Sequence, residues 1–349
     1  MISVVIPCRN EKRHISTFLD SLLQQELEPG WNLEIIVADG MSDDGTRAVL
    51  DDYARESEHV RVIDNPGRIV STALNAAIAA ARGDIVIRMD AHTWYAPDYI
   101  RECVRALRQS GADNVGGPWI ARGQGVVGEA IAAAFHSRFC VGGGKAHDPA
   151  YEGEIDTVYL GCWAKAAFER FGGFDSTLVR NQDDEFNFRM RRLGGRIWQS
   201  PRIRSEYVPR GSLRALFRQY FQYGFWRVAV IRKYRALASW RHAVPALFVG
   251  GILCSLLAAG IAALFNTATA SSIAAMATAV VLIYGFACVI AAVALAGSVH
   301  RRALLLVPIV ISVYHVAYGL GTLFGLAHLA VNFGQSHAPE HPLFTALTR

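Results

Sequence analysis

Residues 4–11 (VVIPCRNE) and 37–46 (VADGMSDDGT) each join a short apolar run to a cluster of polar side chains. Around these segments, strand-like apolar runs alternate four times with helical patterns. The predicted strands are residues 3–6, 33–38, 60–63 and 85–89, and the predicted helices are residues 14–25, 46–55, 69–81 and 98–109. Repeated β-α units of this kind predict an α/β fold with a mostly parallel sheet and helices on both faces.

Candidate binding residues follow three of the four predicted strands. They are Pro7, Arg9, Asn10 and Glu11 after the first strand, Asp39, Ser42, Asp43, Asp44 and Thr46 after the second, and Asp90 and His92 after the fourth. Taken singly, Asp43 or Asp44 could cap the next helix, and Asp90 could end its strand in a turn. Ligands of such sheets bind at the carboxyl ends of the strands, so the joint placement favours one shared polar ligand.

Four motifs, in this order, resemble glycosyltransferase family 2, the inverting enzymes of the GT-A fold. They are VVIPCRNE (4–11), VADGMSDDGT (37–46), GDIVIRMDAH (83–92) and GGFDSTLVRNQDDEFNFRMR (172–191). Within the family, IRMDAHTWY (87–95) and the short C-terminal membrane region are most similar to the succinoglycan-type exopolysaccharide glucosyltransferases. The resemblance therefore implies a GT-A domain that binds a nucleotide sugar.

The resemblance also implies roles for individual residues. It places Pro7, Arg9 and Glu11 around the nucleotide, Asp39 against the uracil, and Asp90 at the ribose and diphosphate, and it makes Asp183 the catalytic base. The usual aspartate-any-aspartate metal motif is here Asp90-Ala91-His92. A divalent cation, Mn²⁺ or Mg²⁺, is expected at Asp90 and His92. Histidine can bind Mn²⁺ but is a poor Mg²⁺ ligand, so the choice between the two metals stays open.

Three consecutive acids, residues 183–185, precede a helical stretch. Acids in a first helical turn stabilise the helix dipole, which explains one of them without any catalytic role. Inverting sugar transfer needs a base that removes the proton of the acceptor hydroxyl. Asp183 is assigned to that role, and Asp184 is the next candidate, on the acceptor side.

The C-terminal part of the chain is strongly apolar. Residues 243–299 contain no Asp, Glu, Lys or Arg, and residues 303–339 are again uncharged. Because about 20 apolar residues suffice to cross a bilayer as a helix, three spans are predicted at residues 243–265, 272–297 and 303–326. The predicted organisation is a catalytic domain at 1–207, an interface region at 208–242, a membrane region at 243–334 and a tail at 335–349.

Charge sets the expected orientation in the membrane. Residues 202–241 contain ten Lys or Arg side chains and one acid, Glu206, and Arg301 and Arg302 lie between the second and third spans. Because such clusters stay in the cytoplasm, we expect a multi-pass protein of the bacterial inner membrane with a cytoplasmic catalytic domain. The N-terminus has no basic leader, so we expect no signal peptide. Anionic lipid, not nucleic acid, is the expected partner of the basic block.

Residues 211–232 have apolar side chains at helical spacing and predict an amphipathic helix at the membrane interface. The sequence QYGFW at 222–226 is similar to the Gln-x-x-Arg-Trp motif of processive family members, with Phe225 in place of the arginine. Gln222, Trp226 and Arg227 are therefore acceptor-side candidates, and an aromatic interface anchor is the alternative. Residues 123–128 match GxGxxG only in isolation, so we expect a mobile loop over 123–145 instead of a dinucleotide site.

Together these features predict an inverting hexosyltransferase. The donor is expected to be a UDP-sugar, with glucose implied by the resemblance, and the acceptor a polyprenyl-diphosphate-linked saccharide in exopolysaccharide synthesis. Two alternatives within this class are transfer directly to polyprenyl phosphate or to a glycerolipid. A third, from another class, is a non-catalytic nucleotide-binding membrane scaffold.

Overall fold

The computed structural model describes residues 1–236 and 239–331. The strands are β1 Ile2–Cys8, β2 Leu33–Asp39, β3 Val60–Asp64, β4 Ile85–Arg88, β5 Thr93–Tyr95, β6 Asn114–Gly117, β7 Ile120–Ala121, β8 Gly153–Glu154, β9 Tyr159–Ala164, β10 Ile197–Gln199 and β11 Ser205–Tyr207. The helices are α1 Ile15–Leu23, α2 Thr46–Glu56, α3 Val70–Ala80, α4 Tyr99–Ser110, α5 Gly125–His136, α6 Arg138–Val141, α7 Ala166–Phe171, α8 Gln182–Arg192, α9 Leu213–Tyr234, α10 Val244–Ala263, α11 Thr267–Val293, α12 Arg301–Leu304 and α13 Val307–Val331. Two 3-10 turns lie at Lys145–His147 and Trp240–His242.

The chain divides by packing into two compact units. The first contains Met1–Ile120 and Gly144–Val208, and the second contains Ala121–Gly143 and the described residues from Pro209 onward. The first unit is built on an eight-stranded sheet of order β3-β2-β1-β4-β9-β6-β10-β8. Strands β1 to β4 pair in parallel, and β9 runs antiparallel between β4 and β6. The predicted α/β architecture, with a mostly parallel sheet and flanking helices, is confirmed.

The sheet is covered on both faces because apolar side chains of its central strands point to both sides. Val4 and Ile6 of β1 pack on one face, with buried side chains of α1, α2 and α4. Val5, which points the opposite way in the pleat, packs on the other face with side chains of α3 and α8. This two-sided burial is typical of strands in parallel sheets. Because β1, β2 and β4 run parallel, the loops that follow them lie at one edge of the sheet.

The second unit is helical. Helices α10, α11 and α13 are each long and apolar enough to cross a membrane. Helices α10 and α11 expose many large apolar side chains, among them Leu247, Leu257, Leu282 and Ile283. Exposed apolar surface on this scale is unfavourable in water and matches a lipid environment. Helix α13 is much more buried and packs extensively against α9.

Glycines allow α9 and α13 to approach closely. A Cβ atom added at Gly321 of α13 would lie 2.0 Å from the carbonyl oxygen of Phe221 in α9. A Cβ atom added at Gly224 of α9 would lie 2.2 Å from the carbonyl oxygen of Tyr318. Small residues at such contacts are typical of helix pairs in membranes. Helix α9 therefore buries one side against the candidate span α13. The helix also carries basic residues.

Two segments differ from the sequence-based expectation. The predicted loop over 123–145 contains α5 and α6, and the backbone carbonyls of Ile131 and Cys140 there accept hydrogen bonds from Tyr314 and His315 of α13. The apolar, alanine-rich composition of α5 favours a helix, which packs within the helical unit. Helix α11 begins at Thr267, five residues before the predicted span, because the Asn266 side chain caps the amides of residues 268 and 269.

Candidate active site

The ends of β1 and β2 lie side by side, and β4 pairs with β1 on its other side. Cys8 of β1 is in register with Asp39 of β2, and Val5 of β1 is in register with Arg88 of β4. All three strands run in the same direction, so their carboxyl ends share one edge of the sheet. The predicted residues after these strands are therefore brought together, as the β-α pattern indicated.

Asp39 ends β2 and is almost completely buried, with 1% of its surface exposed. The hydroxyl of Ser42 donates to Asp39 Oδ1 at 2.5 Å, and Arg47 Nη1 lies 3.7 Å from Oδ2. Arg47 also pairs with Asp64 at the end of β3. These contacts fix the orientation of the Asp39 carboxylate, which can accept hydrogen bonds only from a group in a matching position.

The neighbouring acids Asp43 and Asp44 have structural partners. Asn10 Nδ2 donates to Asp43 Oδ1 at 2.9 Å, and the Asp43 amide donates back to Asn10 Oδ1 at 3.0 Å. Asp44 Oδ1 accepts from both the amide and the hydroxyl of Thr46 at the start of α2. Desolvation raises the pKa of Asp44, but the hydrogen bonds from Thr46 outweigh it and lower the pKa. The capping explanation therefore accounts for Asp44.

The residues after β1 line the same edge. Pro7 is half-buried in β1, and Arg9 packs over Gly40, where an added Cβ atom would lie 3.1 Å from Arg9 Cβ. Glu11 is buried, with Oε1 at 3.6 Å from Nδ1 of His92. The predicted nucleotide-side residue Glu11 and the predicted metal-side residue His92 thus lie beside each other.

The most distinctive contact of the edge is made by Arg88, the last residue of β4. Its Nε and Nη2 atoms donate to the two oxygens of Asp90 at 2.9 and 3.0 Å. Its Nη1 atom donates to Asp183 Oδ1 at 2.5 Å. Burial alone would lower the pKa of Arg88, but the charges of Asp183 and Asp90 raise it, so the guanidinium stays charged. Asp90 and Asp183, predicted separately, are therefore joined through one buried cation.

Asp183 lies in the first turn of α8, next to Gln182 and Asp184. Desolvation raises the pKa of Asp183; the charge of Arg88 opposes this, and the charges of Asp90 and Asp184 add to it, so the pKa is raised overall. The side chain is 41% exposed, which leaves one side of the carboxylate open to solvent. A solvent-accessible carboxylate with a raised pKa is a stronger proton acceptor than an ordinary aspartate.

The other buried polar residues of this helix turn differ in their partners. Glu185 is completely buried, and its Oε1 accepts from Arg189 Nε at 3.0 Å, so it has a structural role. Gln182 is also buried, and within residues 1–236 and 239–331 its Oε1 atom has no hydrogen-bond partner. A buried amide oxygen in this position could accept a hydrogen bond from a bound ligand.

Sequence reasoning missed two residues of this edge, Arg88 and Tyr95. The Tyr95 hydroxyl accepts from the Asp90 amide at 2.6 Å and donates to the Asp90 carbonyl at 3.2 Å, which fixes the backbone after β4. Burial raises the pKa of Tyr95, so the hydroxyl keeps its proton. The available signal for Arg88 was a charged residue within an apolar strand, since buried arginines need anionic partners.

Comparison with known proteins identifies the family. The family model described as Glycosyl transferase family 2 matches residues 3–171. Succinoglycan biosynthesis protein ExoA of Rhizobium meliloti (strain 1021) is 36% identical over 244 residues, which cover 69% of this chain and 73% of that protein. The chain belongs to glycosyltransferase family 2. The resemblance seen in the four motifs is confirmed, and the protein is an enzyme of the glycosyltransferase class.

Two further comparisons extend this picture. A Methanococcus voltae protein, dolichyl N-acetyl-alpha-D-glucosaminyl phosphate 3-beta-D-2,3-diacetamido-2,3-dideoxy-beta-D-glucuronosyltransferase, is 28% identical over 66% of this chain and 74% of its own. The solved structure of the mannosyltransferase PcManGT from Pyrobaculum calidifontis, in complex with GDP-Man and Mn²⁺, has a TM-score of 0.58. At 19% identity over 93% of this chain and 87% of that chain, the likeness supports the GT-A fold of this glycosyltransferase.

The carboxylates of this glycosyltransferase site can hold a divalent cation only together with other ligands. Among the residues that the structure describes, no group of three or more His, Cys, Asp or Glu side chains could hold a metal ion. Both oxygens of Asp90 already accept from Arg88, although each keeps a further lone pair. Mg²⁺-type sites commonly use one or two carboxylates together with substrate phosphates. The donor set therefore fits a cation shared with a bound diphosphate, and it does not fit one held by protein ligands alone.

The acceptor-side candidates of α9 belong to the helical unit. Gln222, Trp226 and Arg227 are all buried, with Gln222 completely inaccessible. A tryptophan buried to this extent does not present its ring to lipid headgroups, which argues against the interface-anchor alternative for Trp226. The proposal that these three residues contact the acceptor stays a prediction from the sequence. The acceptor-side role of Asp184 in α8 is likewise a prediction.

Proposed function

We propose that this glycosyltransferase moves a hexose from a UDP-sugar to a polyprenyl-diphosphate-linked saccharide in the synthesis of a bacterial exopolysaccharide, with inversion at the anomeric carbon. Glucose is the proposed sugar. The name of the Rhizobium relative, a succinoglycan biosynthesis protein, supports the pathway class. The name of the Methanococcus relative contains a dolichyl-linked sugar phosphate, which supports an acceptor of the lipid-linked kind.

The observation that carries the proposal is the link between Asp90 and Asp183 through Arg88. A donor-side carboxylate at a strand end and a base at a helix start are thereby held in one site. Asp39, Arg9, Glu11 and Pro7 would bind the nucleotide from the ends of β1 and β2. In this arrangement Asp39 accepts hydrogen bonds from the uracil, and Asp90 lies at the ribose and diphosphate.

In the proposed reaction, Asp183 accepts the proton of the acceptor hydroxyl as its oxygen forms a bond with the anomeric carbon. The bond between that carbon and the diphosphate oxygen breaks at the same time, and the electron pair leaves with UDP. The raised pKa of Asp183 favours this proton transfer at near-neutral pH. A divalent cation, when bound with the diphosphate, supplies positive charge that stabilises the leaving group. The Mn²⁺ of the archaeal mannosyltransferase complex supports its inclusion.

The three apolar helices support a membrane location, because a lipid acceptor would be presented at the bilayer surface. We place the protein in the bacterial inner membrane with its catalytic domain in the cytoplasm. The basic residues between Arg202 and Arg241 support this orientation. Direct transfer to polyprenyl phosphate or to a glycerolipid remains the alternative within the same class.

The test is transfer from a panel of radiolabelled nucleotide sugars into the lipid-extractable fraction of membranes that contain the protein. We expect label from one UDP-sugar to enter lipid with the wild type. Mass measurement of the extracted product separates a lengthened lipid-linked saccharide from a single sugar on polyprenyl phosphate or glycerolipid. Absence of incorporation from every donor, with folded protein and a supplied lipid-saccharide pool, would contradict the proposal.

A further inference from the structure

Arg88 is buried at the end of an apolar strand, with 6% of its side chain exposed. It contacts two carboxylates that are far apart in the sequence, Asp90 after the same strand and Asp183 in the first turn of α8. Isolated buried charges are costly, and a buried pair does not stabilise a fold reliably. A charged residue at this position therefore calls for an explanation other than stability.

The geometry of the guanidinium supplies one. Its donors lie in one plane with fixed directions, and here Nε and Nη2 form a fork with Asp90 while Nη1 points to Asp183. Because one rigid group holds both carboxylates, neither can move without changing its contact to that group. The separation of Asp90 and Asp183 is thus set by the shape of the Arg88 side chain.

We infer that Arg88 is a positioning residue that fixes the spacing between the donor-side carboxylate Asp90 and the base Asp183. The inference rests on the proposed function, which gives these two carboxylates their roles. In an inverting displacement the attacking and departing oxygens lie on opposite sides of one carbon, so base and donor site must keep one separation. Arg88 acts through the two carboxylates and need not touch the substrate.

The primary test is Arg88→Lys, which keeps the positive charge but replaces the planar fork by a single point donor. We expect kcat to fall on the order of 100-fold, because a misplacement of about 1 Å has that effect on well-oriented reactions. The donor KM should rise by a smaller factor than kcat falls, because Asp90 is displaced while the donor-binding groups outside the Arg88 contacts are retained. The matched control is Arg61→Lys on β3, where the guanidinium donates to the Ala80 carbonyl at 2.6 Å. Both kinetic constants of that control should stay near the wild-type values.

A second measurement separates positioning from a merely structural role. Arg88→Lys is introduced into Asp183→Asn, and the four proteins of the cycle are compared in kcat. If Arg88 acts through the base, the substitution should lower kcat much less in the Asp183→Asn background than in the wild type. Equal fold-losses in both backgrounds would overturn the inference, as would Arg88→Lys with an unchanged kcat.

Folding and binding are followed in the same proteins by thermal unfolding and by calorimetric titration with UDP. A different result would contradict the proposed function itself: wild-type protein that binds UDP but transfers no sugar from any donor. In that case the unfolding temperatures of the cycle still test the link between Arg88 and Asp183. Asp183→Asn removes the charge pairing with Arg88 but keeps an oxygen for the hydrogen bond, so non-additive shifts would support the charge pairing and additive shifts would overturn it.

Discussion

Replacing Asp183 by asparagine tests the assignment of the base with the smallest change of shape. The Asn side chain keeps an oxygen that can accept the Arg88 Nη1 hydrogen bond, which the Asp183 carboxylate accepts at 2.5 Å. It cannot accept the proton of an acceptor hydroxyl. Asp184→Asn is the matched control, because it removes one carboxylate at the neighbouring position of the same helix turn.

The expected loss of activity follows from the chemistry that Asp183 would perform. General base catalysis contributes roughly 10²- to 10⁴-fold to a rate, which corresponds to about 2.7 to 5.5 kcal/mol of activation free energy. Asp183→Asn should lower kcat by this factor. Asp184→Asn should lower it less than about tenfold, because a nearby charge only adjusts the pKa of the base.

The stability of the variant should not fall with its activity. Desolvation is the main cause that raises the pKa of Asp183, so its charged form is less favourable in the folded chain than in the unfolded chain. A carboxyl with a raised pKa contributes stability below its unfolded pKa, and this contribution is lost as the pH rises through the folded pKa. At neutral pH the charge is therefore no source of stability. Because the side chain is 41% exposed, solvent keeps this effect small.

The assay compares wild type, Asp183→Asn and Asp184→Asn in the transfer of label from UDP-sugar to lipid. Thermal unfolding and UDP titration on the same preparations show that each protein is folded and binds nucleotide. Product formation by Asp183→Asn at the wild-type rate would refute the assignment of the base. A large loss in Asp184→Asn alone would move the role to the neighbouring carboxylate.

Three further predictions concern pH, the cation and helix packing. The acid limb of kcat/KM, measured in a pH series, should lie above the ordinary pKa of an aspartate because the pKa of Asp183 is raised. A limb at or below that ordinary pKa would contradict this. EDTA should lower transfer and added Mn²⁺ or Mg²⁺ should restore it, since a cation would stabilise the leaving diphosphate, and EDTA-resistant activity argues against one. Gly321→Ala should destabilise the protein in detergent by about 1–3 kcal/mol, because the added Cβ would overlap the Phe221 carbonyl. The control Gly250→Ala should not destabilise it, because the nearest atom to an added Cβ lies at 3.5 Å there. Equal melting temperatures of the two variants would contradict the packing argument.

The sheet was predictable because its signal is local. The four predicted strands and their helices agree with β1 to β4 and α1 to α4 to within two residues at each end. Alternating short apolar runs and amphipathic stretches define these elements without knowledge of the rest of the chain. The positions of Asp39 and Asp90 follow from the same pattern, because a polar residue after a parallel strand must lie at the carboxyl edge.

The helical unit was less predictable because its packing is not local. The apolar residues of α5 alone do not indicate that the helix packs with α13, over 170 residues further along the chain. In the same way, the buried face of α9 depends on the glycines of α13. A helical pattern beside a membrane span therefore predicts the helix correctly, but it leaves open whether the helix packs against lipid or protein.

Arg88 lies between these two cases. Its burial follows from the sequence, because it ends the run IVIR in a strand whose other residues are apolar. Its partners do not follow, since Asp183 is 95 residues away and reaches Arg88 only through the packing of α8 on the sheet. A buried arginine nonetheless requires carboxylates, and this chain places two of them at the edge where β4 ends. A charged residue within an apolar strand is thus a sequence signal for the site itself, because it requires that distant carboxylates converge there.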